Sequence, residues 1–303
     1  EPIADDNSSG VVTAVSILAV IRDAVAKGVL PPLEFTIRVV FAMEFYGFAA
    51  FSWRMGFPLT DRVVGSLNID GGAVSPDHSL RMMLAPPGMP FFGNSIMESI
   101  PSICCGAKYF PKVEEIAEQG AYADDLFMSE PAAGIPTMWM FGVKKIQFWH
   151  NSEQDMRIID PGSICGFASM LAAWLATSCT LNSGNIEPFI RRGAILAQSH
   201  LEREAERIDD ALKEGRYRES SDLADYIARR MEYRLEIDSK RIRNFDRAVA
   251  LPVIEEECAR LAEYCKSLCS SLLSKIRLQI TLQFAFVKNQ FGSRSRVQKL
   301  QMA

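Results

Sequence analysis

Hydrophobic and polar positions follow two periods along residues 1–182, one typical of helices and one typical of strands. A period near 3.6 residues predicts helices over about Gly10–Lys27, Gly47–Arg54 and Pro161–Thr177. A period of two predicts four strands, with the sequences FTIRVVFAM, RVVGSLNID, SLRMMLA and IPTMWMFG. Strands that alternate with helices indicate an α/β domain with a mostly parallel, mixed sheet flanked by helices.

The pattern beyond residue 182 is helical almost throughout. The turn-rich sequence TLNSGN at residues 180–185 marks the change, and Leu201, Ala205, Ile208 and Leu212 then keep the 4-3-4 spacing of an amphipathic helix. We therefore expect an α/β domain over 1–182 and a helical subdomain over 183–303. Because amphipathic helices bury their apolar face against a partner, we expect this region to form a homo-oligomer or to cap the first domain.

Charge and hydropathy narrow the range of partners. The formal net charge is −4, with the acidic excess in the first 182 residues, which suits cation binding and argues against a nucleic-acid partner. The longest apolar run, around Val11–Ile21, is interrupted by Thr13 and Ser16 and falls short of a membrane span. We expect neither a nucleic-acid nor a membrane partner.

The seven cysteines do not form a disulfide framework. They include an adjacent pair, Cys104 and Cys105, and a set at helical spacing, Cys258, Cys265 and Cys269, but no CxxC motif. This pattern predicts reduced thiols in the cytoplasm, with the helical set packed in the core.

The sequence ADDNSSG places adjacent aspartates ahead of an apolar helix. Asp, Asn and Ser cap helices because their side-chain oxygens accept hydrogen bonds from the first backbone N–H groups. One cap does not need Asp5, Asp6, Asn7, Ser8 and Ser9 together, so a carboxylate that holds a cation is the alternative interpretation.

Polar residues also follow the apolar runs elsewhere. Glu44 follows FTIRVVFAM, Asp70 ends RVVGSLNID, and His150 follows KKIQFW; Asp6 would join them if its loop follows a strand. Each alone has a structural interpretation, as a cap, a turn residue or a hydrogen-bonded histidine. Since ligands bind outside the carboxyl ends of parallel strands, the four together predict a catalytic zinc site with one carboxylate free to act as a base.

Five segments, in this order, are similar to motifs of the co-catalytic zinc aminopeptidase family: ADDNSSG, FAMEFYGFAAFS, SLNIDGG, DDLFMSEPAAGIP and FWHNSEQD. The chain resembles that family, which includes carboxypeptidases and glutaminyl cyclases, over roughly residues 1–178. The single Glu in an E-x-Y-G context looks closest to its less conventional branches. The resemblance implies a zinc-aminopeptidase-like sheet flanked by helices.

The resemblance also implies roles for individual residues. Asp6 would bridge two metals, Asp70 would be a terminal ligand of one of them, and His150 would ligate the other. Glu44 takes the general-base position. The family's substrate-pocket aspartate corresponds to Asp125, or to Asp124.

Trp149 stands where relatives often have a tyrosine that assists the oxyanion. Phe45 stands where many members have a metal-binding glutamate, and no histidine precedes Asp6, so the resemblance implies one or two zinc ions with ligands for the second missing. Three interpretations stay open: N-terminal strands precede Glu1 and bring one ligand with them, the site binds one metal weakly, or the chain is a degenerate relative.

The expected function is that of a metal-dependent hydrolase, aminopeptidase-like, acting on a peptide or a small amide substrate. Glu44 would take a proton from water and deliver it to the leaving amine. Two alternatives stay open. One is a non-catalytic relative that serves as a binding or assembly module. The other is a glutaminyl-cyclase-like zinc acyltransferase, whose usual metal glutamate aligns with Phe45.

Overall fold

A computed structural model describes residues 4–57, 59–71, 80–103, 113–118, 128–129, 132–142, 155–214 and 223–300. Within these ranges the helices are α1 (Gly10–Ala26), α2 (Glu44–Met55), α3 (Phe92–Ile103), α4 (Pro161–Cys179), α5 (Glu187–Lys213), α6 (Leu223–Arg243) and α7 (Pro252–Leu300). The strands are β1 (Ser66–Asp70), β2 (Leu80–Leu84), β3 (Val113–Glu118) and β4 (Thr137–Gly142). Short turns of π-helix at Ala4–Ser9 and of 3₁₀-helix at Met156–Ile158 and Asn244–Arg247 complete the set.

The described strands form one mixed sheet in the order β1-β4-β2-β3. β1 and β4 are parallel, β2 and β3 are parallel, and β2 and β4 are antiparallel. Flanking helices make this the α/β class that the alternating pattern predicts, and the described part of the C-terminal region is helical as expected. The sequence pattern did not predict β3 or α3.

The prediction of a strand at FTIRVVFAM is wrong. Residues 35–43 are described, and none of them belongs to a strand or a helix. Their exposure still alternates, with Phe35, Ile37 and Val39 half-buried between the exposed Thr36 and Arg38. Side-chain alternation is local, whereas a strand also requires a hydrogen-bonded neighbour, and sequence alone does not supply one.

The two faces of β4 differ in their environment. Met138 and Met140 point to one face and are fully buried, as is Met82 of β2. Trp139 and Phe141 point to the other face, where their rings stack with centroids 4.2 Å apart. This alternation is the expected result of a two-residue side-chain period in a strand.

An aromatic cluster connects α3 to α4. Phe91 packs edge-on against Trp174 with centroids 6.2 Å apart, and Trp174 Nε1 donates a hydrogen bond of 2.9 Å to the carbonyl of Gly93. Phe92 packs against Phe245 at 5.4 Å, and the side chain of Asn244 accepts a hydrogen bond from the backbone N–H of Phe92. The 3₁₀ turn at 244–247 therefore contributes to the same core as α3.

Contacts divide the chain into two compact units, one comprising 1–196 and 237–258 and the other comprising 197–236 and 259–303. This division does not follow the boundary predicted near residue 182. The division into an α/β domain over 1–182 and a helical subdomain over 183–303 stays a prediction.

The second unit buries the apolar stripe that the sequence predicts. Leu201, Ala205 and Ile208 are buried, which confirms the amphipathic interpretation of this helix. Glu204 on the same helix is also buried, and its carboxylate accepts a hydrogen bond of 2.7 Å from Arg230 Nε. A buried carboxylate needs such a charged donor because desolvation is otherwise costly.

Two helices among the described residues, spanning Asn7–Ala26 and Pro161–Cys179, are long and apolar enough to cross a membrane by length and composition. By this criterion the apolar run near Val11–Ile21 belongs to a helix that is long enough to cross a membrane, which differs from the expectation based on the sequence. Core helices satisfy the same criterion, and α1 and α4 contact each other. The absence of a membrane partner stays a prediction.

The five described cysteines are free thiols, as expected, and burial decides their reactivity. Burial raises the pKa of Cys179 and Cys258 to about 11 and that of Cys265 to about 12. Because the thiolate is the nucleophile, these three should react slowly with iodoacetamide at pH 8 in the native protein, whereas the exposed Cys165 should react rapidly. Peptide mass spectrometry after timed labelling measures each rate; a native rate for Cys265 equal to that of Cys165 would contradict the prediction.

Candidate functional site

The side chain of Asn7 anchors the turn at Ala4–Ser9 to the carboxyl end of β1. Asn7 Nδ2 donates a hydrogen bond of 2.9 Å to the carbonyl of Ile69, and Asn7 Oδ1 accepts one of 3.0 Å from the backbone N–H of Gly71. A primary amide can do both because it carries a donor and an acceptor, whereas an ionised aspartate only accepts. The pair of bonds spans Asp70 and sets the position of the turn relative to the strand end.

Gly10 leaves the space that this anchor occupies. A Cβ atom at this position would lie 1.9 Å from Asn7 Oδ1 and 2.7 Å from the carbonyl oxygen of Ile69. Both distances are far below van der Waals contact, so a side chain here is incompatible with the observed arrangement. The glycine of DNSSG is therefore explained by the close approach of the Asn7 amide and the end of β1.

The side chain of Ser9 does not cap α1. This residue is the N-cap, it has helical backbone angles, and its side chain makes no capping hydrogen bond in this described segment. The π-helical turn at Ala4–Ser9 runs directly into α1, so the chain is already helical before the position where a cap would act. Within this run of polar residues, Asn7 makes the contact with the end of β1.

Asp70 is the last residue of β1 and is half-buried. It is in register with Phe141 of the parallel strand β4, so it lies at the carboxyl end of both strands. Gly71 follows with a φ of 74°, a conformation that favours glycine, and turns the chain out of the sheet. The predicted position of Asp70 at a strand end is confirmed.

A third segment meets the same turn. The 3₁₀ turn at Met156–Ile158 contacts the turn at Ala4–Ser9. Asp155 shapes this segment by accepting hydrogen bonds of 2.8 Å from the backbone N–H of Arg157 and from its Nε, and these bonds hold the pKa of Asp155 below its usual value. Residues that follow shortly after His150 are thereby placed beside the turn that contains Asp6.

Glu44 is the first residue of α2, and the backbone there is held by a tight contact. The N–H of Gly47 donates a hydrogen bond of 2.8 Å to the carbonyl of Met43, and a Cβ on Gly47 would lie 2.7 Å from the Cβ of Ala42. The glycine of the E-x-Y-G sequence thus permits the chain to turn sharply into α2. Phe45 next to it is partly exposed.

The second half of α2 packs near the start of β4. Phe51 and Met55 contact a buried cluster made of Leu59, Met128, Ala133 and Ile135. Because Ile135 lies two residues before β4, this end of the helix is near the amino-terminal end of the parallel strands.

The predicted site residues differ in how much of each the structure describes. Asp124, Asp125, Trp149 and His150 lie outside the described residues, and for Asp6 and Glu44 only the backbone is described. Of the segments that carry the candidates, those of Asp6 and Asp70 are brought together directly, and the segment after His150 joins them. Within the described part of the chain, no group of three or more His, Cys, Asp or Glu residues could hold a metal ion.

Asn7 is the residue that sequence reasoning missed at this site. The sequence shows only that this asparagine lies ahead of an apolar helix, where it could equally be a cap. The contact partner lies 62 residues away in the chain, and nothing in the local pattern identifies it.

The chain matches no protein-family model, no curated protein and no solved structure.

Proposed function

We propose that this protein is a metal-dependent hydrolase of peptide-like or small amide substrates, with a zinc-aminopeptidase-like fold. The observation that carries the proposal is the convergence of three segments at one edge of the sheet: the Asp6 turn, the end of β1 at Asp70, and the turn at 156–158 that follows His150. The carboxyl edge of parallel strands is where α/β proteins bind their ligands.

In this proposal Asp6, Asp70 and His150 would hold zinc. Two carboxylates and an imidazole are a donor set that suits a catalytic zinc ion, and the Asn7 anchor brings the backbones of the two aspartates close together. The chemistry that such an ion contributes when bound is a lowered pKa for water and polarisation of a substrate carbonyl.

Glu44 would act as the general base. α2 is 12 residues long, or about 18 Å, which is comparable to the length of a five-residue strand. Its second half packs against residues just before β4, and in this proposal its first residue would reach toward the carboxyl edge. From there Glu44 would accept a proton from water and transfer it to the leaving amine, with Asp125 and Trp149 contacting the substrate.

Replacement of Asp6 by Asn tests the metal-binding part of this proposal. The full-length Asp6→Asn variant should lose most of its zinc, because the amide keeps the shape and an acceptor oxygen but not the charge that a metal ligand needs. Asp5→Asn is the matched control and should retain zinc. Zinc per chain is measured by elemental mass spectrometry, with circular dichroism to verify folding.

If folded Asp6→Asn binds as much zinc as the parent, Asp6 is not a ligand. If the parent binds no divalent metal, the hydrolase proposal fails and the alternative of a binding or assembly module takes its place. If the parent binds zinc, a screen of aminoacyl and pyroglutamyl-forming substrates separates a hydrolase from a cyclase-like acyltransferase.

A further inference from the structure

Helix α2 carries an exposed apolar stripe in addition to its buried face. Tyr46, Ala50 and Trp53 follow each other at spacings of four and three residues, which places them on one side of the helix. Met43 precedes the helix and Phe57 follows it. The exposed fractions are 79% for Met43, 84% for Tyr46, 80% for Trp53 and 50% for Phe57.

This stripe is not the core-facing side of the helix. Phe51 and Met55 make the contacts with the buried cluster, and Ser52 between them is buried. A soluble helix normally presents charged and polar groups on its outer side, whereas α2 presents two large aromatic rings. Exposed tyrosine and tryptophan close together are typical of the energetic centre of a protein–protein interface.

The stripe is almost symmetric about Ala50. Met43 and Phe57 lie seven residues on either side of it, and Tyr46 and Trp53 lie four residues before it and three residues after it. In an antiparallel pair of α2 helices related by a two-fold axis near Ala50, large side chains would meet large side chains. The small central residue allows the helix axes to approach to about 8–10 Å.

Charge placement agrees with the same pairing. Arg54 is exposed and lies four residues after Ala50, as Tyr46 lies four before it. Across the two-fold axis the ring of Tyr46 would therefore face the partner subunit's Trp53 and the partner subunit's Arg54. Aromatic stacking and cation–π contact both favour this arrangement.

The available area is close to what a stable pair requires. At about 200 Å² per large side chain, the exposed parts of Met43, Tyr46, Trp53 and Phe57 amount to roughly 600 Å² per copy. Phe41, which is 58% exposed, adds to this total. Stable interfaces bury about 800 Å² per partner, so flanking residues need to contribute only the remainder.

We propose that this stripe is a homodimer interface in which α2 packs antiparallel against α2 of a second copy. The proposal is independent of the hydrolase activity and differs from the expectation that the C-terminal helices form the oligomer. It makes the contact isologous, so each copy uses the same patch.

Sedimentation velocity of the full-length protein tests this interface. The parent should have twice the monomer mass, and Tyr46→Lys and Trp53→Lys should each raise the dissociation constant at least about 100-fold, because an unpaired charge would be buried at the centre of the contact. Tyr233→Lys, at an exposed tyrosine of α6, is the matched control and should remain dimeric. Circular dichroism verifies that each variant is folded.

A double variant tests the antiparallel register. Tyr46→Lys combined with Trp53→Glu should recover part of the association lost in Tyr46→Lys alone and in Trp53→Glu alone, because the two new charges face each other across the axis only in an antiparallel pair. A monomeric parent overturns the proposal, as does a dimer that Tyr233→Lys disrupts and the α2 variants leave intact. Failure of the double variant to recover association overturns the antiparallel arrangement.

Discussion

Replacement of Glu44 by Gln is expected to lower the turnover of an aminoacyl amide substrate by about 10²–10⁴-fold, with the zinc content unchanged. Glutamine has nearly the same shape as glutamate but cannot accept the proton that water loses as it attacks the carbonyl. The measurement is kcat with the best substrate from the amide screen, together with zinc per chain for the same preparation. Loss of turnover with zinc retained separates a base from a ligand.

The matched control for this variant is Glu34→Gln. Glu34 is an exposed glutamate ten residues before Glu44, and its replacement should leave both kcat and zinc content unchanged. A Glu44→Gln variant with parental kcat would show that Glu44 is not the base. A variant that loses zinc as well would assign the carboxylate to the metal instead.

Replacement of Gly10 by Ala is expected to destabilise the protein by about 2–4 kcal/mol, the combined cost of overpacking and of the disturbed Asn7 hydrogen bonds. The added methyl group would overlap Asn7 Oδ1 and approach the carbonyl oxygen of Ile69. Urea unfolding followed by circular dichroism measures the loss. Gly88→Ala is the control, since within the described residues no heavy atom lies within 4 Å of a Cβ at that position.

A double variant identifies the cause of this loss. Asn7→Ala removes the oxygen that a methyl group at residue 10 would overlap. The double variant Asn7→Ala with Gly10→Ala should therefore lose less free energy of unfolding than the sum of the two single variants. Additive costs would show that the contact between the side chain of Asn7 and residue 10 is not the reason for the glycine. If Gly10→Ala is as stable as Gly88→Ala, the claim that the Asn7 contact excludes a side chain at residue 10 is wrong.

The segment FTIRVVFAM, residues 35–43, shows where a local pattern is not sufficient to predict a strand. Its alternating apolar residues give the alternating exposure that a strand would have, and the sequence indicated this correctly. Whether the segment joins a sheet depends on a neighbouring backbone at the right distance and register. That information is not in the nine residues themselves.

The helical C-terminal region shows the same limit at a larger scale. Its amphipathic spacing predicted helices, and Leu201, Ala205 and Ile208 are buried as the spacing requires. The spacing did not indicate that Phe245 would pack on Phe92, 153 residues earlier in the chain, as part of the core of the first unit. An apolar position in a helix indicates that it will be buried, but not what will cover it.

By itself the sequence determined the α/β class, three of the four strands in the described part of the chain, and the positions of α1, α2 and α4. These follow from short-range periodicity and from the packing of apolar faces on a core. It also placed Asp70 at a strand end. Only the tertiary structure decided that Asn7 joins the Asp6 turn to that strand end, that Gly10 must lack a side chain, and that α2 has an exposed aromatic stripe. Each of these depends on distances between segments that are far apart in sequence, and such distances are set by how the elements pack rather than by the residues of any one of them.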